Sequence, residues 1–185
     1  LREIAEAHPD KTIAAISLDL SKEESLDVFE QLLKENNPEI KVLVNNAGYG
    51  KCEDFFSSNR KTQTGMIDLN CRALMGVTRL CMPFMLDDSL VLNIASIAAY
   101  APSPRMSVYS ATKSFVLAFS KALHEELRPR GIKVLAVQAD VSAGADNEAV
   151  VANVVKQAID TFGRIDVLIN NAQASASGVT LTDHT

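Results

Sequence analysis

Short apolar runs recur along the chain, and longer segments with helical spacing of apolar positions separate them. A run that is apolar throughout predicts a strand covered on both faces, and alternation of such strands with helices is typical of a parallel sheet built from βαβ units. The predicted strands are 12–18, 41–45, 90–95, 133–137 and 165–170. The predicted helices are about 22–36, 60–85, 108–128 and 146–162. The pattern therefore predicts an α/β fold with a doubly wound parallel sheet.

The ends of two helices are marked by particular residues. Ser21, followed three residues later by Glu24, predicts a capping box at the start of the first helix. Pro129 and Gly131 predict the end of the helix at 108–128. Both signals agree with the helix lengths that the apolar pattern predicts.

The composition is that of an ordinary globular protein. The 185 residues suffice for one domain with a hydrophobic core, and 47% of them are hydrophobic and 22% charged. The net charge of −5 gives no basic surface for nucleic acid, and no apolar stretch approaches the ~18 residues of a membrane-spanning helix. The three cysteines, Cys52, Cys71 and Cys81, lack metal-binding spacing and are interpreted as free thiols. We therefore predict a cytoplasmic protein with no nucleic-acid, membrane or metal partner.

The most informative local pattern is Tyr-Ser-Ala-Thr-Lys at 109–113, with Ser96 thirteen residues before the tyrosine. Residues four apart on a helix lie on the same face, so Tyr109 and Lys113 are predicted to be neighbours. A free tyrosine is a poor acid–base catalyst near neutral pH, but a neighbouring ammonium stabilises the phenolate. The hydroxyl of Ser96 can hold a substrate oxygen beside that phenol. The pattern predicts proton transfer to or from a carbonyl or alcohol oxygen.

Five motifs in this order resemble those of the short-chain dehydrogenase/reductase family, whose members transfer hydride between a nicotinamide cofactor and a carbonyl/alcohol pair. They span roughly residues 1–137 and are Asp19 in Leu-Asp-Leu, Asn-Asn-Ala-Gly at 45–48, Asn70 in Asp-Leu-Asn, Ser96 after an apolar strand, and Tyr109 with Lys113. The resemblance implies a Rossmann-like fold and NAD or NADP as the cofactor. It also implies a small carbonyl or alcohol substrate, and a homo-oligomer that forms through the helices at about 60–85 and 108–128.

The resemblance implies a catalytic role for four residues. Tyr109 is the implied general acid, which gives its proton to the developing alkoxide, and Ser96 is the second donor to the same oxygen. Lys113 is implied to assist Tyr109 and to bind the cofactor ribose. Asn70 is implied to hold a water that links Lys113 to solvent, and the alternative is an asparagine that merely bends its helix.

The resemblance also implies a set of cofactor contacts. In that set, Gly48 would permit close approach of the backbone, and Asp19 would accept a hydrogen bond from the adenine amino group. Two members have structural alternatives, because Asn45 can tie neighbouring strands together and Asp19 can simply precede a helix. The implied cofactor-binding residues are Asp19, Asn45, Ala47, Gly48, Tyr109 and Lys113.

Two features depart from the family pattern, and the first concerns the start of the sheet. The family's first strand, its glycine-rich turn and its second strand have no counterpart, and no Gly-x-x-x-Gly-x-Gly occurs in the 185 residues. We therefore expect an incomplete sheet in an N-terminally truncated chain.

The second departure is an internal repeat. The strand Ile-Lys-Val-Leu-Val-Asn-Asn-Ala at 40–47 returns as Ile-Asp-Val-Leu-Ile-Asn-Asn-Ala at 165–172, and an Asp-x-Ser triplet precedes the helix before each copy. This repeat predicts a chimera, and a natural fusion, an artificial chimera and a fragment all remain open.

The repeat also predicts how the chain is divided. A partial Rossmann domain at 1–137 is followed by a repeated βαβ segment at 138–185 within the same structural domain. The repeat is expected to extend the sheet beyond the strand at 133–137. Asp140 and Asn170–Ala172, the duplicated counterparts of the first copy, are interpreted as structural.

Two hypotheses for function follow. The first is an NAD(P)-dependent oxidoreductase in which Tyr109 is the acid/base, and the intact catalytic residues favour it. The second is a remnant without a cofactor phosphate site, which acts only as an interaction module. The missing glycine-rich turn favours this second hypothesis, because a pyrophosphate anchor helps to hold the nicotinamide at reacting distance.

Overall fold

The computed structural model describes residues 14–138, residue 156 and the backbone of residues 167–169. The strands are β1 (Ile40–Asn45), β2 (Met85–Ala95), β3 (Lys133–Gln138) and β4 (Val167–Ile169). They form one parallel sheet in the order β3-β2-β1-β4. The prediction of a Rossmann-like parallel sheet with flanking helices is confirmed over the described residues.

Helices lie at the three predicted positions that fall within residues 14–138. The α-helices are α1 (Glu23–Asn36), α2 (Arg60–Ile67), α3 (Leu74–Cys81) and α4 (Ser107–Leu127). Short 3-10 helices occupy Met82–Phe84, Ile97–Ala99 and Arg128–Arg130. The helix predicted at about 60–85 is divided by a π-helical segment, Asp68–Ala73, between α2 and α3. None of the helices in the described ranges combines the length and apolar character that a membrane crossing requires.

Apolar side chains cover both faces of the central strands, as the runs without polar alternation predict. Leu43 and Val91 are fully buried in a layer that includes Val77 of α3. Val42 and Leu92, one position away along the same strands, are buried in a second cluster. Successive strand residues point to opposite faces, so the core lies on both sides of β1 and β2.

The repeated segment joins the sheet at the edge opposite to the predicted one. β4 pairs with β1, with Val167 opposite Leu43, while β3 is the other edge of the described sheet. The prediction that the repeat extends the sheet beyond 133–137 is therefore wrong. The physical reason is that β1 is buried on both faces and gains a partner for its free backbone edge, whereas β3 exposes Lys133 and Leu135, as edge strands do.

The rest of the repeat lies outside the described residues. This applies to the predicted helix at 146–162 except residue 156, and to Asp140 and Asn170–Ala172. The division of the chain at about 137 stays a prediction.

The strand predicted at 12–18 is wrong over its described part, 14–18. A strand needs a neighbour for its backbone hydrogen bonds, and no described strand lies beside this segment; Ile16 is 55% exposed. The chain then turns into α1, with the N–H of Lys22 donating to the carbonyl oxygen of Asp19 at 2.9 Å.

One of the two predicted helix ends is confirmed. The capping box is wrong, because the hydroxyl of Ser21 donates to Oδ1 of Asp19 at 2.6 Å and Lys22 is the N-cap, without a side-chain cap. The end of α4 is as predicted: Pro129 lies in the 3-10 turn that follows it, and Gly131 adopts a left-handed φ of 67°.

Candidate active site

The predicted catalytic residues come from elements that meet at the carboxyl ends of β1 and β2. Tyr109 and Lys113 lie one turn apart near the start of α4. Ser96 directly follows β2, Asn70 lies in the π-helical segment, and Gly48 lies in the loop after β1. Apart from Tyr109 and Lys113, these positions are distant in the sequence, and the fold brings their elements to one end of the sheet.

Lys113 is almost completely buried although it can carry an ammonium charge. The residue is 7% exposed, and its Nζ donates a hydrogen bond of 2.8 Å to the carbonyl oxygen of Ile94 in β2. The same nitrogen lies 5.8 Å from the centroid of the Tyr109 ring, within cation–π range. Burial lowers the pKa of Lys113 to about 8, against a smaller opposing effect of Cys71. Lys113 can therefore gain or lose a proton close to physiological pH.

The side-chain amide of Asn70 fastens the loop after β1. Its Oδ1 accepts from the N–H of Tyr49 at 3.0 Å, and its Nδ2 donates to the carbonyl oxygen of Tyr49 at 2.9 Å. Nδ2 also donates to Oγ1 of Thr112 in α4 at 3.0 Å. π-Helical segments within α-helices are frequent at functional sites, and this one places a buried amide between a loop and α4. The predicted water between Asn70 and Lys113 stays a prediction.

Thr112 connects Asn70 to the backbone of Tyr109. Its hydroxyl accepts from Asn70 and donates to the carbonyl oxygen of Tyr109 at 2.7 Å. Thr112 was not predicted from the sequence, although a helical threonine commonly bonds a carbonyl one turn earlier. Its partner Asn70 is 42 residues away, and only the fold brings them together.

Gly48 lies against both Asn70 and Lys113. A Cβ at this position would lie 3.0 Å from Oδ1 of Asn70 and 3.6 Å from Nζ of Lys113. A side chain here would be in tight contact with the Asn70 amide, and glycine avoids that contact. Ala47 is half-buried and packs against the hydrophobic core. Of these two predicted cofactor contacts, Gly48 is the one beside Asn70 and Lys113.

Ser96 and Tyr109 are both half-buried, and both lie on the side of the sheet where the strands have their carboxyl ends. Oγ of Ser96 accepts from the N–H of Ala98 at 3.2 Å and caps the short helix that follows β2. This bond uses an oxygen lone pair, so the hydroxyl can still donate to a ligand.

Asn45 has the contacts of its structural alternative. Its Nδ2 donates to Oδ1 of Asn93 at 2.8 Å and to Oγ1 of Thr78 at 2.9 Å, and Nδ2 of Asn93 donates to Oγ of Ser120 at 2.9 Å. These buried side chains connect α3, β1, β2 and α4. Thr78, Asn93 and Ser120 were not predicted from the sequence. A cofactor contact of Asn45 stays a prediction.

Asp19 is exposed, and its contacts are local. Its carboxylate accepts from the hydroxyl of Ser21 at 2.6 Å and from the N–H of Ser21 at 3.1 Å. The hydrogen bond from the Ser21 hydroxyl is the main reason that the pKa of Asp19 is lowered. Asp19 therefore organises the turn before α1, and its contact with adenine stays a prediction.

All three cysteines are free thiols, as predicted. Burial raises the pKa of Cys71 to about 11, against an opposing effect of Lys113, and raises that of Cys81 to about 12. Cys71 is therefore mainly a neutral thiol at physiological pH.

The chain is similar in sequence to known dehydrogenases and reductases. The family model described as short chain dehydrogenase matches residues 1–143. The very-long-chain 3-oxoacyl-CoA reductase of Rattus norvegicus is 39% identical over 128 residues, which make up 66% of this chain and 40% of the reductase. The chain thus spans about two fifths of the length of that relative.

Solved structures show the same similarity. The bulky-bulky ketone specific alcohol dehydrogenase from Comamonas testosteroni superposes with a TM-score of 0.69 at 30% identity, over 87% of this chain and 67% of the dehydrogenase. The 3-ketoacyl-(acyl-carrier-protein) reductase from Brucella melitensis, complexed with NADH, gives a TM-score of 0.59 at 31% identity, over 68% of this chain and 55% of the reductase.

Proposed function

Because the chain belongs to the short-chain dehydrogenase family, we propose that it is an oxidoreductase that transfers hydride between NADH or NADPH and a carbonyl/alcohol pair. The observation that carries this proposal is the buried Nζ of Lys113, which lies 5.8 Å from the ring centroid of Tyr109. An ammonium at this position stabilises the phenolate that remains after Tyr109 has given up its proton.

In the reducing direction, Tyr109 donates its hydroxyl proton to the alkoxide that develops on the substrate oxygen. Ser96 donates a second hydrogen bond to the same oxygen, where negative charge accumulates. NADH or NADPH, when bound, supplies the hydride that the carbonyl carbon accepts. Lys113 balances the charge left on Tyr109, and the Asn70–Thr112 contacts hold the start of α4 in place.

The residues beside Lys113 fit the nicotinamide side of such a cofactor. Gly48 lies beside Lys113 and carries no side chain that would stand between Nζ of Lys113 and a ribose hydroxyl. The phosphate side is different, since the 185 residues contain no Gly-x-x-x-Gly-x-Gly turn. We assign no pyrophosphate contact to the described residues.

The relatives suggest the carbonyl compound to try first. The rat protein, at 39% identity, is a very-long-chain 3-oxoacyl-CoA reductase, and the Brucella melitensis protein, at 31% identity, is a 3-ketoacyl-(acyl-carrier-protein) reductase. Both names describe a ketone two bonds from a thioester. We propose 3-oxoacyl thioesters as the substrate class.

The test is a titration of the purified chain with NADH and with NADPH, followed by cofactor fluorescence, and then an assay with a 3-oxoacyl-CoA. We expect saturable binding at micromolar cofactor and oxidation of the cofactor that depends on the thioester. No binding up to millimolar concentrations of either cofactor would contradict the proposal. That result would favour the alternative that this chain acts only as an interaction module.

We also propose that the chain forms a homo-oligomer through α2, α3 and α4. Each of these helices exposes an apolar side chain: Ile67 is 49%, Met75 is 42% and Phe115 is 39% exposed. Light scattering is expected to give at least twice the chain mass of 20.0 kDa. A monomer at high protein concentration would contradict this proposal.

A further inference from the structure

Gly50 approaches the ring of Tyr109 more closely than a side chain would allow. A Cβ at Gly50 would lie 2.7 Å from Cδ2, 2.8 Å from Cε2 and 3.0 Å from Cγ of Tyr109. Carbon atoms in favourable contact are about 3.5–4.0 Å apart, so this Cβ would collide with the ring. Cγ joins the ring to the rest of the residue, so moving only the tip of the side chain does not relieve the collision.

The backbone of Gly50 does not itself require glycine. Among the described glycines, Gly131 alone has a positive φ, and Gly50 does not. Gly50 therefore has a conformation that alanine also adopts. The restriction at position 50 comes from the Tyr109 ring.

The loop that carries Gly50 is prevented from moving away. Both backbone groups of the preceding residue, Tyr49, are bound to the buried amide of Asn70. The hydroxyl of Tyr49 donates to the carbonyl oxygen of Thr62 at 3.0 Å, which fixes its ring against α2. Further along, the N–H of Glu53 donates to the carbonyl oxygen of Arg105 at 2.9 Å. A collision at position 50 is therefore relieved by displacement of the Tyr109 ring.

We propose that Gly50 is a positioning residue that sets where the phenol of Tyr109 lies relative to Lys113. The inference rests on the proposed function, because it assigns Gly50 a part in proton transfer by Tyr109. Asn70 holds the loop on one side and, through Thr112, the backbone of Tyr109 on the other. The glycine lets these two rigid segments meet at the ring. A shift of about 1 Å in a reacting group can reduce a rate about 100-fold.

The experiment compares Gly50→Ala with Gly76→Ala as a matched control. A Cβ at Gly76 is similarly crowded, 2.8 Å from Cδ1 of Leu26, but the atom it meets is the end of a flexible side chain away from Tyr109. We expect Gly50→Ala to lower kcat for the 3-oxoacyl thioester about 10- to 100-fold with little change in KM. Gly76→Ala should change neither kcat nor KM.

A second measurement does not depend on turnover. Urea unfolding midpoints are compared for the wild type, Gly50→Ala, Tyr109→Ala and the double variant. We expect Gly50→Ala to lower the midpoint in the wild type but not in the Tyr109→Ala background, where the ring is gone. If Gly50→Ala fails to fold and the double variant folds, the same conclusion follows.

Three results would overturn the inference. They are a folded Gly50→Ala variant with wild-type kcat, an equal loss of kcat in Gly76→Ala, and a midpoint shift or folding failure that persists without the Tyr109 ring. If the wild type shows no turnover with bound cofactor, the proposed function fails separately, and the unfolding midpoints alone decide whether Gly50 positions the ring.

Discussion

Replacing Tyr109 with phenylalanine should reduce kcat for carbonyl reduction by about 10²–10⁴-fold, the range that a positioned acid–base group contributes. The change removes one oxygen atom and leaves the ring that packs against Gly50. Contacts made by the backbone of Tyr109, including the bond from Thr112, are also retained. The free energy of unfolding should therefore stay close to the wild-type value. The measurement is steady-state reduction of a 3-oxoacyl-CoA, with a fluorescence titration of the cofactor.

Tyr100→Phe provides the control for this substitution. Tyr100 is 62% exposed, so removal of its hydroxyl is chemically the same change at a site outside the cluster of Tyr109, Lys113 and Asn70. Its kcat should equal that of the wild type. A Tyr109→Phe variant that keeps more than about one tenth of the wild-type kcat would contradict the assignment of Tyr109 as the general acid.

Replacing Lys113 with methionine should stabilise the fold near neutral pH by up to about 3 kcal/mol, although it abolishes the proposed chemistry. Burial lowers the pKa of Lys113 from 10.5 to about 8, and each unit corresponds to about 1.4 kcal/mol of preference for the neutral form. Below pH 8 both the folded and the unfolded chain hold the proton, so the folded state carries the full cost of a buried charge. Methionine has a similar length and no charge to bury.

The difference in stability between Lys113→Met and the wild type should depend on pH. Between about pH 8 and 10.5 the folded chain loses the proton of Lys113 while the unfolded chain keeps it, so the wild type gains stability as pH rises. The advantage of Lys113→Met should be largest at pH 7 and shrink above pH 8, as measured by urea unfolding at several pH values. Lys121→Met, at an exposed position on the same helix, is the control. A difference between Lys113→Met and wild type that stays constant from pH 7 to 10 would contradict the prediction.

Local patterns in the sequence predicted most of the elements, and they predicted that Tyr109 and Lys113 are neighbours on one helix. The apolar run at 41–45 and the helical spacing at 108–128 are properties of short segments, and both elements lie where predicted. The four-residue spacing of Tyr109 and Lys113 likewise determines that they share a helix face, because helix geometry alone sets it.

Predictions that depended on a distant partner were less successful. The segment 14–18 has the residues of a strand, but no described strand lies beside it. Ser21 has the spacing of a capping residue, but the carboxylate of Asp19 competes for its hydroxyl. Thr112 and Gly50 acquire their importance from Asn70 and Tyr109, which are far away in the sequence. A single sequence records the spacing of residues along the chain, and not which loop packs against which ring.

The hydrogen bond between Asn45 and Asn93 has a consequence for how the strands find their correct alignment during folding. The two asparagines lie directly opposite each other: Asn45 follows the apolar residues 42–44 of β1, and Asn93 lies within the apolar run 90–95 of β2. Sliding one strand by a single residue would keep apolar side chains against the core but would turn one asparagine to the opposite face of the sheet. Each buried amide left without a partner costs about 1–3 kcal/mol. A polar pair in the centre of the sheet thus penalises misaligned arrangements that hydrophobic burial alone would tolerate.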